Sequence, residues 1–160
     1  MPNILVRLPE GMLDVGSKQK LVAMLNATAA EAEQIPDDPR CRALCWIVVE
    51  EVKAGNWTCG GVDMSSQAVP VIVQVYVPHG VLDRETRNRY AAGIHRSLRA
   101  AVPGEARRIL VSSIFHEVPD GMWGINESIW RLHDFARHAG YMHLQHLAAD
   151  LTTQPASVRP

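Results

Sequence analysis

The residue with the clearest potential for chemistry is Pro2, which directly follows Met1. If Met1 is removed, the ring nitrogen of Pro2 becomes a terminal secondary amine, and a small second residue such as proline generally permits that removal. An unperturbed α-amino group titrates near ~7.7–8.0, and burial or nearby cations lower that pKa. Because a base with a pKa near the working pH transfers protons best, we predict that Pro2 is a general acid or base.

Other side chains could complete a pocket around this amine. Trp57 and Trp123 could form its apolar wall. His116 could act as a general acid or hydrogen-bond donor, the alternative being a strand histidine bonded to a backbone group. Asn126 could orient a carbonyl group or a water molecule, the alternative being an ordinary turn residue. We therefore predict His116 as a catalytic residue and the other three as substrate-binding residues.

A repeated segment indicates which elements position these residues. Residues 51–57 recur as residues 117–123, with Glu, Val, Gly and Trp matching at one constant spacing. Upstream, the Pro-x-Gly turn of residues 8–14 reappears in residues 77–83. The chain is therefore predicted to contain two tandem copies of one half-domain.

Each copy is predicted to fold as strand, helix, strand. The apolar spacing predicts strands at residues 3–8, 43–52, 71–77 and 109–118, and helices at residues 17–34 and from a cap at Asp83 onward. The second helix should bury Tyr90, Ile94, Leu98 and Ala101. After Trp123, a short helix ending at Gly140 is expected, and residues 151–160 are expected to be mobile.

These elements predict the α+β fold class. A crossover helix makes the two strands of a unit parallel, so two units give a four-stranded mixed sheet with two helices on one face. We predict a first unit at residues 1–61, a connecting loop at 62–69, a second unit at 70–130 and a C-terminal extension at 131–160, with both units in one domain. The other sheet face is apolar and has no helix to cover it, which predicts an oligomer.

The order of these motifs resembles the tautomerase superfamily in its long, two-unit form. That family combines an N-terminal proline on the first strand with a strand that ends in a Glu-Glu-Val-like segment, a Gly-x-aromatic turn and often Gly-Gly. Here the pattern is Pro2 followed by residues 50–61, and residues 117–126 repeat it without the Gly-Gly. Fused 4-oxalocrotonate tautomerase, cis-3-chloroacrylic acid dehalogenase and macrophage migration inhibitory factor have this long form.

The resemblance implies a homotrimer and an enzyme whose N-terminal proline moves a proton between carbon and oxygen of a small oxo- or enol-acid. We therefore predict an isomerase of the keto–enol tautomerase kind. One alternative is a proline-dependent hydratase, dehalogenase or decarboxylase of a small unsaturated or 3-oxo acid, in which a charged proline is the acid and a carboxylate activates water. A second alternative is an inactive trimeric binding or scaffold protein, with Pro2 blocked by Met1.

The chain departs from this family at the arginines that bind dicarboxylate substrates. The four corresponding positions hold Met12, Val81, Trp46 and Ser112. None of these side chains can bind a carboxylate as a guanidinium does. Arg42 and Arg108 lie four residues before two of these positions and would share their strand face. We therefore predict Arg42 as a substrate-binding residue and Arg108 as a catalytic residue, with solvated surface arginines as the alternative.

Composition excludes several kinds of partner. A net charge of -1 over 160 residues predicts neither a nucleic-acid nor a membrane partner, and leaves a small-molecule substrate. Three cysteines without a CxxC pair indicate reduced thiols and a cytoplasmic protein. No metal is expected, because the spacing of His133, His138, His143 and His146 matches no zinc motif. No cofactor is expected either.

Overall fold

The first half of the chain forms the first strand–helix–strand unit. The structure is a computed structural model that describes residues 1–149. Strand β1 (Asn3–Pro9) leads into helix α1 (Val15–Ala32), and strand β2 (Trp46–Val52) completes the unit. Asp14 caps α1 by accepting a hydrogen bond from the backbone of Ser17. A short helix, α2 (Pro39–Arg42), precedes β2, which therefore starts later than predicted.

The second half repeats this order, as predicted. It contains strand β3 (Ala68–Pro78), helix α3 (Arg84–Ala101) and strand β4 (Arg108–Val118). Asp83 caps α3 through the backbone N–H of Thr86. Tyr90, Ile94 and Leu98 are buried on one side of α3, which confirms the predicted apolar face.

The four strands form one mixed sheet in the order β2-β1-β3-β4. Within each unit the two strands are parallel, and β1 pairs antiparallel with β3 across the centre of the sheet. The predicted α+β class, with two tandem units in one four-stranded mixed sheet, is therefore confirmed. Asn3 lies beside Trp46 on one side and Tyr76 on the other, so the start of β1 meets the end of β3.

The core lies between the sheet and the two long helices. Alternate residues of β1 are buried, beginning with Ile4 and Val6, and β3 shows the same alternation. Helices α1 and α3 pack against each other at Gly93, where an added Cβ would lie 2.5 Å from Thr28 Cγ2. Thr28 and Ser97 also join the helices, with 3.2 Å between their hydroxyl oxygens.

The sheet face opposite the helices is open in the single chain. Trp46 and Val48 on β2 are exposed, and so are Leu110 and Ile114 on β4. The β-branched and aromatic run in residues 43–52 is typical of a buried strand. That prediction was wrong for the single chain, because β2 is the edge strand and only one of its faces meets the core.

The C-terminal segment has more structure than the single helix predicted. Strands β5 (Trp123–Ile125) and β6 (Ser128–Trp130) form a hairpin, and helix α4 (Leu132–Ala139) follows and ends at Gly140, as expected. A 3₁₀ turn (Met142–Leu144) and helix α5 (Gln145–Ala149) come last. Within residues 1–149, no helix combines the length and apolar character that a membrane crossing requires. The predicted mobile tail at 151–160 lies outside the described residues.

Candidate active site

The start of β1 carries a buried cluster of polar groups around the chain terminus. The Met1 side chain is only 2% exposed. Its amine donates hydrogen bonds to the carboxylate of Glu33, at 3.0 Å, and to the hydroxyl of Tyr141. The Tyr141 hydroxyl in turn donates to the same Glu33 oxygen at 3.0 Å. Amine, carboxylate and phenol thus form a closed triangle away from solvent.

Two different parts of the chain position this triangle. Glu33 is the C-terminal cap residue of α1, and the next residue, Gln34, has a left-handed backbone with φ 53°. The carbonyl of Gln34 accepts a hydrogen bond from the backbone of Met142 at 3.0 Å, directly after Tyr141. A non-glycine residue in this conformation is strained, and such strain is found most often at functional sites. The Gln34–Met142 hydrogen bond therefore fixes Tyr141 against the end of α1.

Gly140 allows the chain to reach this position. It ends α4 with φ 71°, and its backbone lies so close to neighbouring residues that an added Cβ would be 3.0 Å from Pro36 Cγ and 3.2 Å from Cys41 Sγ. A side chain at residue 140 would therefore meet both backbone strain and a steric conflict. Glycine here brings the C-terminal segment, and Tyr141 with it, onto the first unit.

Burial shifts the pKa of the Met1 amine, of the Glu33 carboxyl and of the nearby Cys45 thiol. Desolvation lowers the pKa of the Met1 amine, and the charge of Glu33 partly opposes this shift. Desolvation raises the pKa of Glu33, and the amine partly opposes that shift. Both changes favour the uncharged forms, so burial opposes the ion pair that the amine and the carboxylate would otherwise form. Burial, followed by the charge of Glu33, also raises the pKa of the Cys45 thiol to about 12.

Two polar atoms of the cluster have no hydrogen-bond partner. They are Glu33 Oε1 and the hydroxyl of Tyr90, both fully buried. The Tyr90 hydroxyl lies close enough to Glu33 to affect the pKa of that carboxyl, but it does not reach normal hydrogen-bond geometry. Most buried polar groups in proteins are paired, so the Glu33 oxygen and the neighbouring Tyr90 hydroxyl form a costly polar site inside the core.

Pro2 lies directly beside this cluster. It is buried, and its carbonyl accepts a hydrogen bond from the backbone of Trp46 at 3.1 Å. In the structure Met1 precedes it, so the Pro2 nitrogen belongs to a peptide bond. Removal of Met1 would make that nitrogen the terminal amine, one residue from the position that the Met1 amine occupies now.

Arg42 does not lie on a strand. It ends α2 and donates to the backbone oxygen of Pro36 at 3.2 Å, and its guanidinium is 3.6 Å from the carboxylate of Asp37. The argument that strand alternation gives Arg42 the face of Trp46 is therefore wrong, because β2 begins only at Trp46. Arg42 is nevertheless near the cluster, since its charge partly opposes the rise in the pKa of Cys45.

His116 lies at the same end of the sheet as Pro2 but in a different environment. Its ring stacks on Tyr76 with centroids 4.4 Å apart, and its Nε2 is 3.3 Å from the amide nitrogen of Gln74. The next residue back, Phe115, packs against buried Tyr90 on the helix side. Because side chains alternate along a strand, His116 faces away from the helices and from the Glu33 cluster.

Arg108 and Trp57 lie far from Pro2 within the chain. Arg108 pairs with Ala68 where β3 begins, whereas Pro2 lies next to the far end of β3. Trp57 lines a cavity of about 190 Å³ beyond the end of β1, together with Met12 and Arg107. One chain therefore does not bring Arg108 or Trp57 to the Pro2 amine.

Trp123 and Asn126 belong to the β5–β6 hairpin. Trp123 packs edge-on against Phe135 of α4 with centroids 5.3 Å apart. Asn126 is exposed in the turn with φ 53°. Trp123 thus supports the helix that leads to Tyr141. Within residues 1–149, no group of three His, Cys, Asp or Glu side chains is arranged to hold a metal ion.

Glu33, Tyr90 and Tyr141 were not predicted as site residues from the sequence. A signal existed for Glu33, because it continues the four-residue spacing of the buried positions Leu21, Leu25 and Ala29. An acidic residue on a buried helix stripe must have a partner. The partner could not be found in this way, because Tyr141 is separated from Glu33 by most of the chain.

Comparisons with known proteins find matches among solved structures and not among family models or curated sequences. No family model matches the chain, and no curated protein matches it. A wild-type fused 4-OT, solved as an asymmetric trimer, has 18% identity and a TM-score of 0.60, covering 79% of this chain and 94% of its own. Pt0534 inactivated by 2-oxo-3-pentynoate has 16% identity and a TM-score of 0.62 over the same shares.

Macrophage migration inhibitory factor from Toxoplasma gondii matches as well. It has 12% identity and a TM-score of 0.60, with 80% of this chain and 99% of that chain covered. At these identities the likeness establishes the fold and leaves the reaction to be inferred from the site.

Proposed function

Starting from the long, fused tautomerase-superfamily fold of this chain, we propose that the protein is a keto–enol isomerase that acts through its N-terminal proline. After removal of Met1, the Pro2 amine acts as general base and then as general acid on a small oxo- or enol-acid. No cofactor takes part in this reaction.

One observation supports the proposal: the Met1 amine, next to Pro2, is enclosed with Glu33 and Tyr141, and burial lowers the pKa of that amine. Pro2 is itself buried, so its amine would arise in the same surroundings. A lowered pKa keeps an amine unprotonated near neutral pH, which is the form that abstracts a proton. A strongly desolvated ionisable cluster is also costly to a fold, and such clusters are concentrated at functional sites.

The first test asks whether Pro2 carries a free amine in the expressed chain and whether catalysis depends on it. The intact mass of the natively expressed chain should lack one methionine. Pro2→Ala should then lower the rate of phenylenolpyruvate tautomerisation roughly 10²–10⁴-fold, the usual effect of one acid–base group. Pro103→Ala, in the exposed turn after α3, is the matched control. A change of less than about threefold in Pro2→Ala would contradict the proposal.

A second candidate reaction is the addition of water to a small unsaturated acid. The observation that favours it is the carboxylate of Glu33, which binds the Met1 amine next to Pro2. A carboxylate can activate water while a charged proline donates the proton. Product analysis separates the two reactions, because hydration adds one water to the substrate and tautomerisation leaves its formula unchanged.

A non-enzymatic role has its own supporting observation. With Met1 in place, its side chain fills the interior and its amine is fully paired. A chain that keeps Met1 in the cell has no proline amine and would be a binding or scaffold protein. The intact mass decides between the two, since a retained methionine removes the catalytic group.

We further propose a cytoplasmic homotrimer. The fused 4-OT structures are described as trimers, and this chain shares their fold. The three cysteines, Cys41, Cys45 and Cys59, are free thiols, which suits a reducing compartment.

A further inference from the structure

Resting on the homotrimer of the proposed function, we propose that copies of this chain join through the open sheet face while His116 is neutral, and that protonation of His116 weakens the assembly. Three features of the open sheet face support this inference. They are a row of hydrogen-bonded side chains that ends at His116, the charges around that ring, and the apolar side chains that flank the row.

The row of side chains crosses all four strands on the open sheet face. Strand pairing places Glu50 of β2 beside Arg7 of β1, and Tyr76 of β3 beside His116 of β4. Arg7 Nε donates to Glu50 at 2.6 Å, and Arg7 Nη1 donates to Gln74 Oε1 at 3.0 Å. Gln74 Nε2 lies 3.3 Å from His116 Nε2 and 3.4 Å from the Tyr76 hydroxyl. We call this set of side chains the polar row.

Arg7 sets the direction of the hydrogen bonds in the polar row. A guanidinium only donates, so the Gln74 atom that binds Arg7 must be the amide oxygen. The amide nitrogen of Gln74 therefore donates to Tyr76 and to His116. His116 Nε2 is then an unprotonated acceptor, which places the single proton of the neutral ring on Nδ1.

A protonated His116 does not fit the polar row. The charged ring donates from both nitrogens, so its Nε2 proton would face the amide protons of Gln74. Turning the amide over would bring its oxygen to His116 but would set its NH₂ group against the guanidinium of Arg7. Since one amide oxygen cannot serve both cations, protonation breaks the polar row in either orientation.

The charges around His116 do not compensate for a proton on the ring. Arg7 is also positive, and the carboxylate of Glu50 is already bound to it. Tyr76, which stacks on the ring, is uncharged near neutral pH. Glu117 follows His116 in the chain but pairs with Val77 on the helix side of the sheet. Within residues 1–149, no carboxylate forms an ion pair with His116.

Apolar side chains beside the polar row suit a second copy of the chain as the partner. Val48 on β2 is 46% exposed and Ile114 on β4 is 41% exposed, each two residues from the end of the row. Burying them favours association and also removes water from His116, which is half-buried in the single chain. Water can accept the second ring proton in the single chain, so the cost of a donor without an acceptor falls on the assembly.

Sedimentation equilibrium of the full chain at about pH 7.5 and about pH 5.5 tests the inference, because histidine titrates near about 6.5 in peptides. We expect the wild-type association constant to fall about tenfold or more at the lower pH, the effect of one buried donor without an acceptor. His116→Gln retains an oxygen that can accept from Gln74 and does not titrate, so its association should be equal at both pH values. His95→Gln, at an exposed position of α3, should respond as the wild-type protein does.

Two further measurements separate His116 from other titrating groups. Gln74→Glu supplies a carboxylate that accepts from Arg7 and from a charged His116 together, so its association should not weaken at the lower pH. Long-range proton–nitrogen NMR spectra of the wild-type protein, labelled at histidine, should show the His116 proton on Nδ1 at the higher pH.

Equal association of the wild-type protein at both pH values, or a neutral His116 protonated on Nε2, would overturn the inference and leave the homotrimer intact. A loss of association that persists in His116→Gln would also overturn it, because another group would then carry the effect. A wild-type protein that is monomeric at the higher pH would overturn the homotrimer and the inference with it. If His116→Gln does not fold, the wild-type association and the wild-type spectrum still decide.

Discussion

At the scale of single residues, the pKa of an ionisable group depends on whether the group and its charged partner are buried or exposed. Glu33 is fully buried, and desolvation raises the pKa of its carboxyl even though an amine lies 3.0 Å away. Glu105 is the opposite case, because it lies near the surface and its neighbour Arg107 holds its pKa at about 2. Burial thus favours the neutral form of the glutamate at position 33, and the arginine neighbour favours the charged form of the glutamate at position 105.

Glu105 gives a prediction about stability and pH. Its carboxylate accepts hydrogen bonds from the backbone and the guanidinium of Arg107, the shortest at 2.6 Å. Because the folded pKa lies below the unfolded value, the pair stabilises the protein above about pH 4.3 and loses that effect as the pH falls toward 2. The Arg107 side chain is 37% exposed, so we expect a contribution of roughly 0.5–1 kcal/mol after solvent screening.

Urea unfolding near neutral pH and near about pH 2.5 measures this effect. The free energy of unfolding of Glu105→Gln should fall less between the two conditions than that of the wild-type protein. Glu10→Gln, at an exposed carboxylate that takes no part in the ion pairs of residues 1–149, is the control. An equal fall in wild type and Glu105→Gln would show that the pair contributes nothing.

At the scale of elements, the contact between α1 and α3 determines how the two units share one core. The helices approach each other where Gly93 faces Thr28, and the hydroxyl of Ser97 lies 3.2 Å from that of Thr28 while donating to the carbonyl of Gly93. A glycine inside a helix normally costs about 1 kcal/mol relative to alanine. Its presence here indicates that the close approach of the helices stabilises the fold by more than the lost helix propensity.

Gly93→Ala should therefore destabilise the protein, against the usual direction of a glycine-to-alanine change in a helix. The new Cβ would lie 2.5 Å from Thr28 Cγ2, and overpacking of this kind costs about 1–3 kcal/mol. Urea unfolding measures the change. Thr28→Ser removes the opposing methyl group and should restore most of the loss in the double variant.

The matched control is Gly16→Ala at the start of α1, where the new Cβ would have only an ordinary contact at 3.7 Å. We expect it to be neutral or stabilising. If Gly93→Ala behaved like Gly16→Ala, the two helices would be free to move apart at little cost.

At the scale of the whole molecule, the open sheet face requires a partner. Leu110 is 42% exposed and Ile114 41% on β4, and Trp46 is 60% exposed on β2. These side chains share the sheet face that carries no helix. Exposed apolar side chains on a sheet face that no helix covers suit an interface, and a second and third copy of the chain are the partners that the fold suggests.

Light scattering should give three times the chain mass for the wild-type protein. Ile114→Glu places a charge in the proposed interface and should shift the protein to monomers. Val15→Glu puts the same charge on an apolar residue that is 75% exposed on the helix side, and should remain trimeric. A monomeric wild-type protein, or a trimer unaffected by Ile114→Glu, would contradict the proposed assembly.

The sequence by itself determined the repeated unit, the cap at Asp83, the parallel pairing within each unit and the mixed four-stranded sheet. These features depend on neighbours along the chain and on the handedness of crossovers, so local patterns contain them. The β5–β6 hairpin was missed because its strands are only three residues long and carry no clear alternation. Pro2 could be predicted as a candidate because its chemistry requires only its place next to Met1.

Only the tertiary structure decided what surrounds Pro2. Glu33 and Tyr141 meet at the terminus because Gly140 turns the C-terminal segment back onto α1, a contact between residues far apart in the chain. The structure also moved Arg42 off the strand and left Arg108 and Trp57 at the other end of the sheet. Long-range contacts depend on packing in three dimensions, and no local pattern in the sequence encodes which side chains they bring together.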